Sequence, residues 1–244
     1  MQAIVFSLRL NSLYSITLPF TWQSALTYPI MPPSAVIGLL ANALQRYKND
    51  RHPLKYLSRL EDEIIWAGSR LLSPCLIKSY TMSAITKWEE ALGSKATNAL
   101  GRQFGYTRLL ELAAIFKNDP CLDDIVWALK TTPITCGDSE SLATLEQPPR
   151  VCAVSEANGQ EIVETRYPVP YSINTVVIGG DGQVFLMHSR CQKTDRNFPL
   201  ESYLVPIKEQ SRIIYPSVLK IGITPREGVL NIADTGSVIT KINA

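Results

Sequence analysis

Little in this sequence points to the side-chain chemistry on which most enzymes depend. The 244 residues include two histidines and five cysteines, and no two cysteines form a Cys-x-x-Cys pair. A zinc site or a disulfide framework is therefore not indicated, and an odd number of scattered cysteines favours a reducing compartment. We expect no metal and no cofactor.

Charge of one sign and long apolar runs are also scarce. The formal net charge is +2, which is too small to indicate nucleic-acid binding by itself, so contact with a polyanion would depend on local basic clusters or on backbone amides. No apolar segment is long enough to span a bilayer, and the N-terminus lacks the pattern of a signal peptide. We expect a cytoplasmic protein that does not bind membranes.

Hydrolytic catalysis has no clear pattern behind it. Glu61, Asp62 and Glu63 are consecutive, so on a helix their carboxylates would point in different directions rather than at one ligand. The two histidines, His52 and His188, are far apart in the sequence and adjoin no acidic motif. We therefore do not expect an enzyme.

The segment YPIMPPSAVIGLLANAL, residues 28–44, has the most informative local pattern. Its two prolines hold the backbone extended, and Ser34 is predicted to cap a helix that continues to about Lys48. The first-turn amides of such a helix carry partial positive charge and could bind a phosphate or a carboxylate. The alternative is a helix start with no ligand.

Basic residues cluster in three places. Between residues 42 and 60, five basic residues accompany one acidic residue, Asp50, which is typical either of a phosphate-binding surface or of a solvated helix and linker. Between Trp88 and Arg108, basic and aromatic residues alternate with three glycines, which predicts a mobile loop that could stack on RNA bases or a plain surface loop. Residues 188–196 carry a third group, Arg190, Lys193 and Arg196, which could be a second contact patch or a solvated loop.

A Gly-Asp-Ser-Glu-Ser segment, residues 137–141, follows a helix predicted over Leu122–Lys130. We expect Trp127 of that helix to lie in the core. The amides and hydroxyls of residues 137–141 could bind an RNA backbone, or the segment could form an ordinary Asx-type turn.

In this order the motifs resemble the Cas-five family of CRISPR-associated RAMP proteins. The resemblance rests on a strand over Ile4–Leu10, the Pro-Pro-Ser start of a Gly-Leu-Leu-Ala helix, and ITCGDSES at residues 134–141, so it covers roughly the first 145 residues. Family members are subunits of Cascade, the CRISPR surveillance ribonucleoprotein. The resemblance implies a noncatalytic subunit that caps the 5′ handle of the guide RNA (crRNA), with residues 88–108 as a thumb that kinks the RNA.

The partners that the resemblance implies are the crRNA 5′ handle, the neighbouring backbone RAMP subunit and the Cascade large subunit, with target DNA near the flanking motif as a further candidate. The RNA-binding residues predicted from motifs and resemblance together are Pro33, Ser34, Ala35, Arg46, Lys48, Lys95, Arg102, Tyr106, Arg108, Gly137, Asp138, Ser139 and Ser141.

The predicted fold class is α+β. The order strand, helix, strand, strand, helix over residues 1–147 predicts a ferredoxin-like (RRM/RAMP) domain with a thumb-like insertion at about 87–108. Residues 148–244 contain six short β-prone runs and predict a β-rich antiparallel subdomain. The Gly-Gly-Asp-Gly segment at 179–182 is predicted to be a hairpin turn between two of these runs.

Two rival functions remain open on the sequence. One branch of the family cuts precursor RNA with Tyr, Lys and His, and a metal-independent endoribonuclease here would use Tyr47, Lys48 or His52 for acid–base chemistry. The other rival is a protein-only scaffold without nucleic-acid contact.

Overall fold

The computed structural model describes residues 1–21, 24–89, 94–118, 121–157, 161–172, 175–191, 200–223 and 227–241. For residues 82–89 and 94–100, and for positions 227 and 241, the description covers the backbone alone. The helices are α1 (Pro33–Lys48), α2 (Pro53–Glu63) and α3 (Leu122–Thr131). The strands are β1 (Gln2–Leu10), β2 (Ser24–Ala25), β3 (Ile64–Leu71), β4 (Cys75–Glu89), β5 (Ser94–Thr107), β6 (Leu109–Phe116), β7 (Ile134–Thr135), β8 (Leu142–Leu145), β9 (Arg150–Glu156), β10 (Ile162–Thr165), β11 (Val169–Pro170), β12 (Val176–Gly179), β13 (Gln183–His188), β14 (Leu200–Val205), β15 (Ile207–Gln210), β16 (Ile213–Pro216), β17 (Leu219–Gly222), β18 (Glu227–Ile232) and β19 (Gly236–Lys241).

An eight-stranded antiparallel sheet forms the centre of the protein. Its main order is β19-β18-β9-β1-β6-β3, with β8 also paired to β1 and β7 paired to β8. Side chains of β1 alternate between the two faces. Ile4, Phe6 and Leu8 pack into the core that contains the helices, whereas Ala3 and Val5 pack into a second core formed with C-terminal strands.

The helices cover one face of this sheet. The predicted helices over residues 34–48 and 122–130 are confirmed as α1 and α3, and α2 occupies much of the basic segment between residues 42 and 60. The prediction that Trp127 lies in the core is wrong, because it is 55% exposed. Ile125 and Leu129 of α3 face the core instead, while Lys130 Nζ lies 5.5 Å from the centre of the Trp127 ring.

A long β-hairpin, β4–β5, replaces the loop predicted from Trp88. β4 extends to Glu89, and β5 continues through Gly101 and Gly105, so these two glycines do not interrupt the strand. Gly105 fits because a Cβ atom there would lie 2.5 Å from Cζ of the buried Tyr14 ring. The hairpin belongs to a five-stranded sheet with the order β15-β16-β4-β5-β2.

The C-terminal half adds two three-stranded sheets, β10-β17-β12 and β11-β14-β13. The six predicted β-prone runs fall on β9, β12, β13, β16, β17 and β19. The predicted hairpin at residues 179–182 is wrong, because β12 pairs with β17 whereas β13 pairs with β14. Gly180 has φ +96°, and a Cβ atom there would lie 2.0 Å from the Val218 carbonyl oxygen, so this segment lies against residue 218 while the chain passes from one sheet to the other.

Strands far outnumber helices, so the fold is mostly β. Among the described residues, no helix combines the length and the apolar character that crossing a membrane requires.

Candidate nucleic-acid interface

A groove of about 620 Å³ lies beside α1 and brings the two sequence motifs together. Three stretches of chain line it, within residues 31–46, 133–139 and 188–191. The first contributes Ser34, Ala35 and Arg46, and the second contributes Gly137 and Ser139. Five of the predicted RNA-binding residues therefore share one groove, although about a hundred residues of sequence separate the two sets.

The start of α1 differs from the prediction in its cap. Pro32 is the N-cap residue, and no side chain caps the helix, so the prediction that Ser34 does so is wrong. The Pro32 carbonyl oxygen accepts hydrogen bonds from the N–H groups of Ala35 (3.0 Å) and Val36 (3.1 Å), and Pro33 has no N–H. The N–H groups of Ala35 and Val36 are thus used within the helix, and the Ser34 N–H is the first-turn amide that these two bonds do not occupy. Because no acidic residue lies in the first turn, the positive end of the helix dipole is uncompensated there.

Residues 188–191 are fixed against the start of α1 through Cys191. Its thiol donates a hydrogen bond to the Ser34 carbonyl oxygen at 3.0 Å, and its backbone N–H donates to the Glu61 carboxylate. Burial and the nearby Glu61 carboxylate raise the pKa of the Cys191 thiol to about 12, so the thiol remains a protonated donor. These two bonds hold Arg190 and His188 at the groove.

The turn at residues 137–141 depends on glycine and on buried polar contacts. Gly137 has φ +92°, and a Cβ atom there would lie 2.6 Å from the Ser15 carbonyl oxygen. The Ser141 hydroxyl is buried, donates to the Leu13 carbonyl oxygen at 3.0 Å and contacts the Asp138 carboxylate. Ser141 therefore stabilises the turn, whereas Ser139 is exposed at the groove.

Arg102 of the hairpin is bound to this turn. Its guanidinium forms an ion pair with the Asp138 carboxylate, and its Nε–H donates to Ser15 Oγ at 3.3 Å. The guanidinium also lies 4.8 Å from the centre of the Phe104 ring. The hairpin and the turn are thus connected through two residues, Arg102 and Asp138, that the sequence placed in separate motifs.

The other predicted contacts on the hairpin are more dispersed. Tyr106 on β5 is 49% exposed, and Arg108, between β5 and β6, is also exposed. The Lys95 side chain lies outside the described residues. Neither Tyr106 nor Arg108 lines the groove.

The basic residues at the end of α1 diverge. Arg46 lines the groove, where its Nη1 donates to the Pro133 carbonyl oxygen at 3.0 Å. Lys48 lies outside the groove and forms an ion pair with Asp124 at 2.6 Å, a contact that raises the pKa of Lys48. Pro33 is buried and also lies outside the groove.

The residues of the endoribonuclease alternative do not form a shared site. His52 caps α2, because its Nδ1 accepts the Leu54 N–H at 3.3 Å. Lys48 is engaged by Asp124, and Tyr47, Lys48 and His52 all lie outside the groove. Within the described part of the chain, no group of three or more His, Cys, Asp or Glu side chains is arranged to hold a metal ion.

The model of a family described as CRISPR-associated protein (Cas_Cas5) matches residues 5–166, about two thirds of the chain. The chain belongs to the Cas5 family. The match includes both the α1 motif and the turn at residues 137–141. No curated protein sequence matches this Cas5 chain.

Solved structures show the same kind of fold. A CRISPR protein from Archaeoglobus fulgidus matches with a TM-score of 0.65 and 12% identity, covering 100% of both chains. A chain of the Type III-B Cmr-beta complex bound to cognate target RNA and AMPPnP matches with a TM-score of 0.51 and 10% identity, covering 90% of this Cas5 protein and 86% of that chain. At these identities the similarity concerns the fold.

Proposed function

We propose that this Cas5 protein is a noncatalytic RNA-binding subunit of a type I CRISPR Cascade complex, in which it caps and orients the 5′ handle of the crRNA. The observation that carries the proposal is the groove itself, because the start of α1 and the turn at residues 137–141 meet there with Arg46 and Arg190. On the sequence alone, both motifs predict contact with a phosphate group.

The groove has the donors that a phosphate backbone requires. Arg46 uses one guanidinium nitrogen on Pro133, which leaves its other N–H groups for phosphate oxygens. The Ser34 amide, the Ser139 hydroxyl and Arg190 would complete the contacts. The described lining residues include no Asp or Glu, so the local charge is positive although the net charge of the chain is small.

The strand order supports a ferredoxin-like core for this subunit. β9, β1, β6 and β3 are neighbours in that order and antiparallel, with helices between β1 and β3 and between β6 and β9. This is the arrangement of a βαββαβ unit. In this proposal residues 1–147 form the RAMP domain, residues 148–244 form the β-rich subdomain, and the β4–β5 hairpin is the thumb.

The proposed partners follow from these positions. Arg102 connects the hairpin to the turn, so Tyr106 and Arg108 would meet the RNA where it leaves the groove. The hairpin would contact the neighbouring backbone RAMP subunit, and the opposite end of the handle would bring the large subunit and target DNA close to this chain.

Retention of crRNA by a reconstituted complex tests the proposal. We expect Arg46→Ala and Arg190→Ala to release crRNA at lower salt than the wild type. Each should also reduce the slope of log K against log salt by about 0.7, the value for one phosphate contact with a single strand. The measurement is the 260/280 nm absorbance ratio of the purified complex across a salt titration. Lys208→Ala is the control, because Lys208 is exposed, pairs with Asp181 and lies outside the groove.

Two results would contradict the proposal. Release curves that coincide for the wild type and both arginine variants would remove the groove from RNA binding. Cleavage of repeat RNA by the purified chain, abolished in His52→Ala, would show a nuclease in place of a noncatalytic cap.

A further inference from the structure

A second cavity, of about 130 Å³, lies between β3 and the turn that joins β18 to β19. It shares no described lining residue with the groove. Arg70 of β3 lines it and is in register with Glu111 of β6. Glu111, Ala113 and Ile115 are every second residue of β6, so their side chains lie on the same face of the sheet. Ala113 and Ile115 belong to the core formed with C-terminal strands. The cavity is thus on the face of the central sheet that the helices do not cover.

Arg70 is held in place but incompletely hydrogen-bonded. Its Nη2 pairs with Glu111 Oε1 at 2.7 Å, and its guanidinium lies 4.9 Å from the centre of the Tyr167 ring. Its Nε is buried and has no hydrogen-bond partner among the described residues. Because a buried charged donor is normally paired, this N–H indicates an acceptor that comes from outside the chain.

Thr235 provides a second donor at the same cavity. The residue is 9% exposed, and its Oγ1 has no hydrogen-bond partner in the described part of the chain. Burial raises the pKa of the neighbouring Cys152 thiol, and its contact with the Thr235 hydroxyl lowers that pKa. A protonated thiol is a weak partner that leaves the hydroxyl available. Next in the chain, Gly236 has φ +122°, and a Cβ atom there would meet nothing within 4 Å, so this wall has room for a ligand.

The charges around the cavity favour an anion. The Glu111 carboxylate is engaged by Arg70 and by the Tyr167 hydroxyl at 2.7 Å. Glu164 is engaged by Lys220 at 2.9 Å. Arg166 is exposed and also lines the cavity, which leaves an excess of positive charge. A water molecule would satisfy one donor without offsetting this charge, whereas an oxyanion would do both.

We propose that this cavity is a binding site for a phosphate-class oxyanion, held by Arg70 Nε–H, the Thr235 hydroxyl and the Arg166 guanidinium. The volume suits a single phosphoryl group and is too small for a nucleoside. The site is independent of the groove and of the proposed crRNA handle contact.

Thermal unfolding of the full chain in inorganic phosphate tests the site. At constant ionic strength, balanced with NaCl, we expect phosphate to raise the Tm progressively as its concentration exceeds Kd, because a ligand of the folded state stabilises it in proportion to ln(1 + [L]/Kd). Thr235→Val and Arg166→Ala should each weaken the apparent phosphate affinity about tenfold. Arg70 is left intact, because its removal would strand the buried Glu111 carboxylate.

The controls separate this site from the groove. Thr144→Val, at an exposed hydroxyl of β8, and Lys208→Ala should respond to phosphate like the wild type. In the double variant Arg46→Ala with Arg190→Ala, the phosphate response should persist, because neither arginine lines this cavity. An equal effect of chloride would overturn the proposal. So would an undiminished response in Thr235→Val and Arg166→Ala, or a response lost in the groove variant.

Two sources of phosphate are distinguished by competition. The competition uses the groove double variant, to which single-stranded RNA is added together with inorganic phosphate. If the RNA abolishes the rise in Tm that inorganic phosphate causes, the occupant is a nucleic-acid phosphate. A phosphate effect that persists under RNA would identify a free oxyanion. Both results support the cavity site.

Crystals grown with tungstate should show heavy-atom density between Arg70 and Thr235. Tungstate density confined to the groove would contradict the cavity site.

Discussion

Glu111 is a buried carboxylate that binds two partners from different parts of the chain. Arg70 and Tyr167 both contact its Oε1 at 2.7 Å, and the Arg70 and Glu111 side chains are 11% and 8% exposed. The contact links the central sheet to the segment between β10 and β11. Removal of the carboxylate would leave a buried guanidinium without its counter-charge.

We expect Glu111→Ala to lower the free energy of unfolding by about 3–5 kcal/mol, the usual cost of breaking one side of a buried ion pair. Equilibrium urea denaturation measures it. Glu146→Ala is the matched control, since Glu146 pairs with Arg9 at 3.7 Å on the surface and should cost less than about 1 kcal/mol. Equal losses in the two variants would show that the Glu111 pair adds nothing through burial.

Single residues also show where sequence patterns stop being informative. A serine after two prolines predicts a cap, yet Pro32 takes that position because its carbonyl oxygen already accepts two first-turn amides. Gly101 and Gly105 suggest a loop by propensity. In the fold, the buried Tyr14 ring requires a residue without a side chain at position 105. The deciding contact in each case is absent from a local pattern.

At the scale of elements, the hairpin and the turn at residues 137–141 act as one unit through Arg102. The Cys136 N–H donates to the Ser141 carbonyl oxygen at 2.8 Å, which closes the turn. The ion pair between Arg102 and Asp138 then fixes the turn relative to β5.

We expect Arg102→Ala to speed hydrogen exchange of the Cys136 and Ser141 amides about tenfold, because a charge-assisted contact that holds the turn is lost. Arg108→Ala, which changes an exposed arginine at the base of the same hairpin, should leave those rates unchanged. Hydrogen-exchange mass spectrometry of peptides over residues 134–142 provides the measurement. Unchanged exchange in Arg102→Ala would mean that the turn is held by Gly137 and Ser141 alone.

Elements with strong periodicity were predictable from the sequence. β1, α1 and α3 follow from alternation or helical spacing, and their bounds are close to those expected. The pairing of β12 and β13 was not predictable, because Gly180 contacts residue 218, and such a contact leaves no mark in the local sequence. A glycine-rich turn between two strands indicates a chain reversal without specifying the sheet that each strand joins.

At the scale of the whole molecule, burial raises the pKa of all five cysteine thiols. The pKa of the Cys121, Cys136 and Cys191 thiols is raised to about 12, and desolvation is the largest cause for each. The pKa values of Cys75 and Cys152 are also raised. Because the thiolate is the nucleophile, all five thiols should be unreactive near neutral pH.

We expect iodoacetamide at pH 8 to modify the folded protein far more slowly than the urea-unfolded chain, with mass spectrometry counting the modified cysteines. The same shifts predict a pH effect. Since the folded state holds these protons more tightly, their contribution to stability is complete below about pH 9 and is lost as pH rises toward 12. Rapid alkylation of folded protein, or stability that does not fall across that interval, would contradict burial of the thiols.

The groove illustrates why a site is harder to predict than a fold. Sequence motifs predict Ser34, Arg46, Gly137 and Ser139 as RNA-binding residues, and the structure places them around one groove. The sequence marks residues 188–196 only as a separate basic group and does not place them beside the two motifs, because their position depends on contacts of Cys191 to α1 and α2 across more than a hundred residues of sequence. Local patterns carry no record of such contacts.

That third side of the groove has a consequence for synthesis. A ribosome releases residues 31–46 and 133–139 before residues 188–191, so a nascent chain presents the first two sides while the last is still being translated. A ligand that contacts all three sides of the groove cannot bind fully until Cys191 has emerged and its thiol has bonded to Ser34. Ligand binding therefore follows translation of most of the polypeptide.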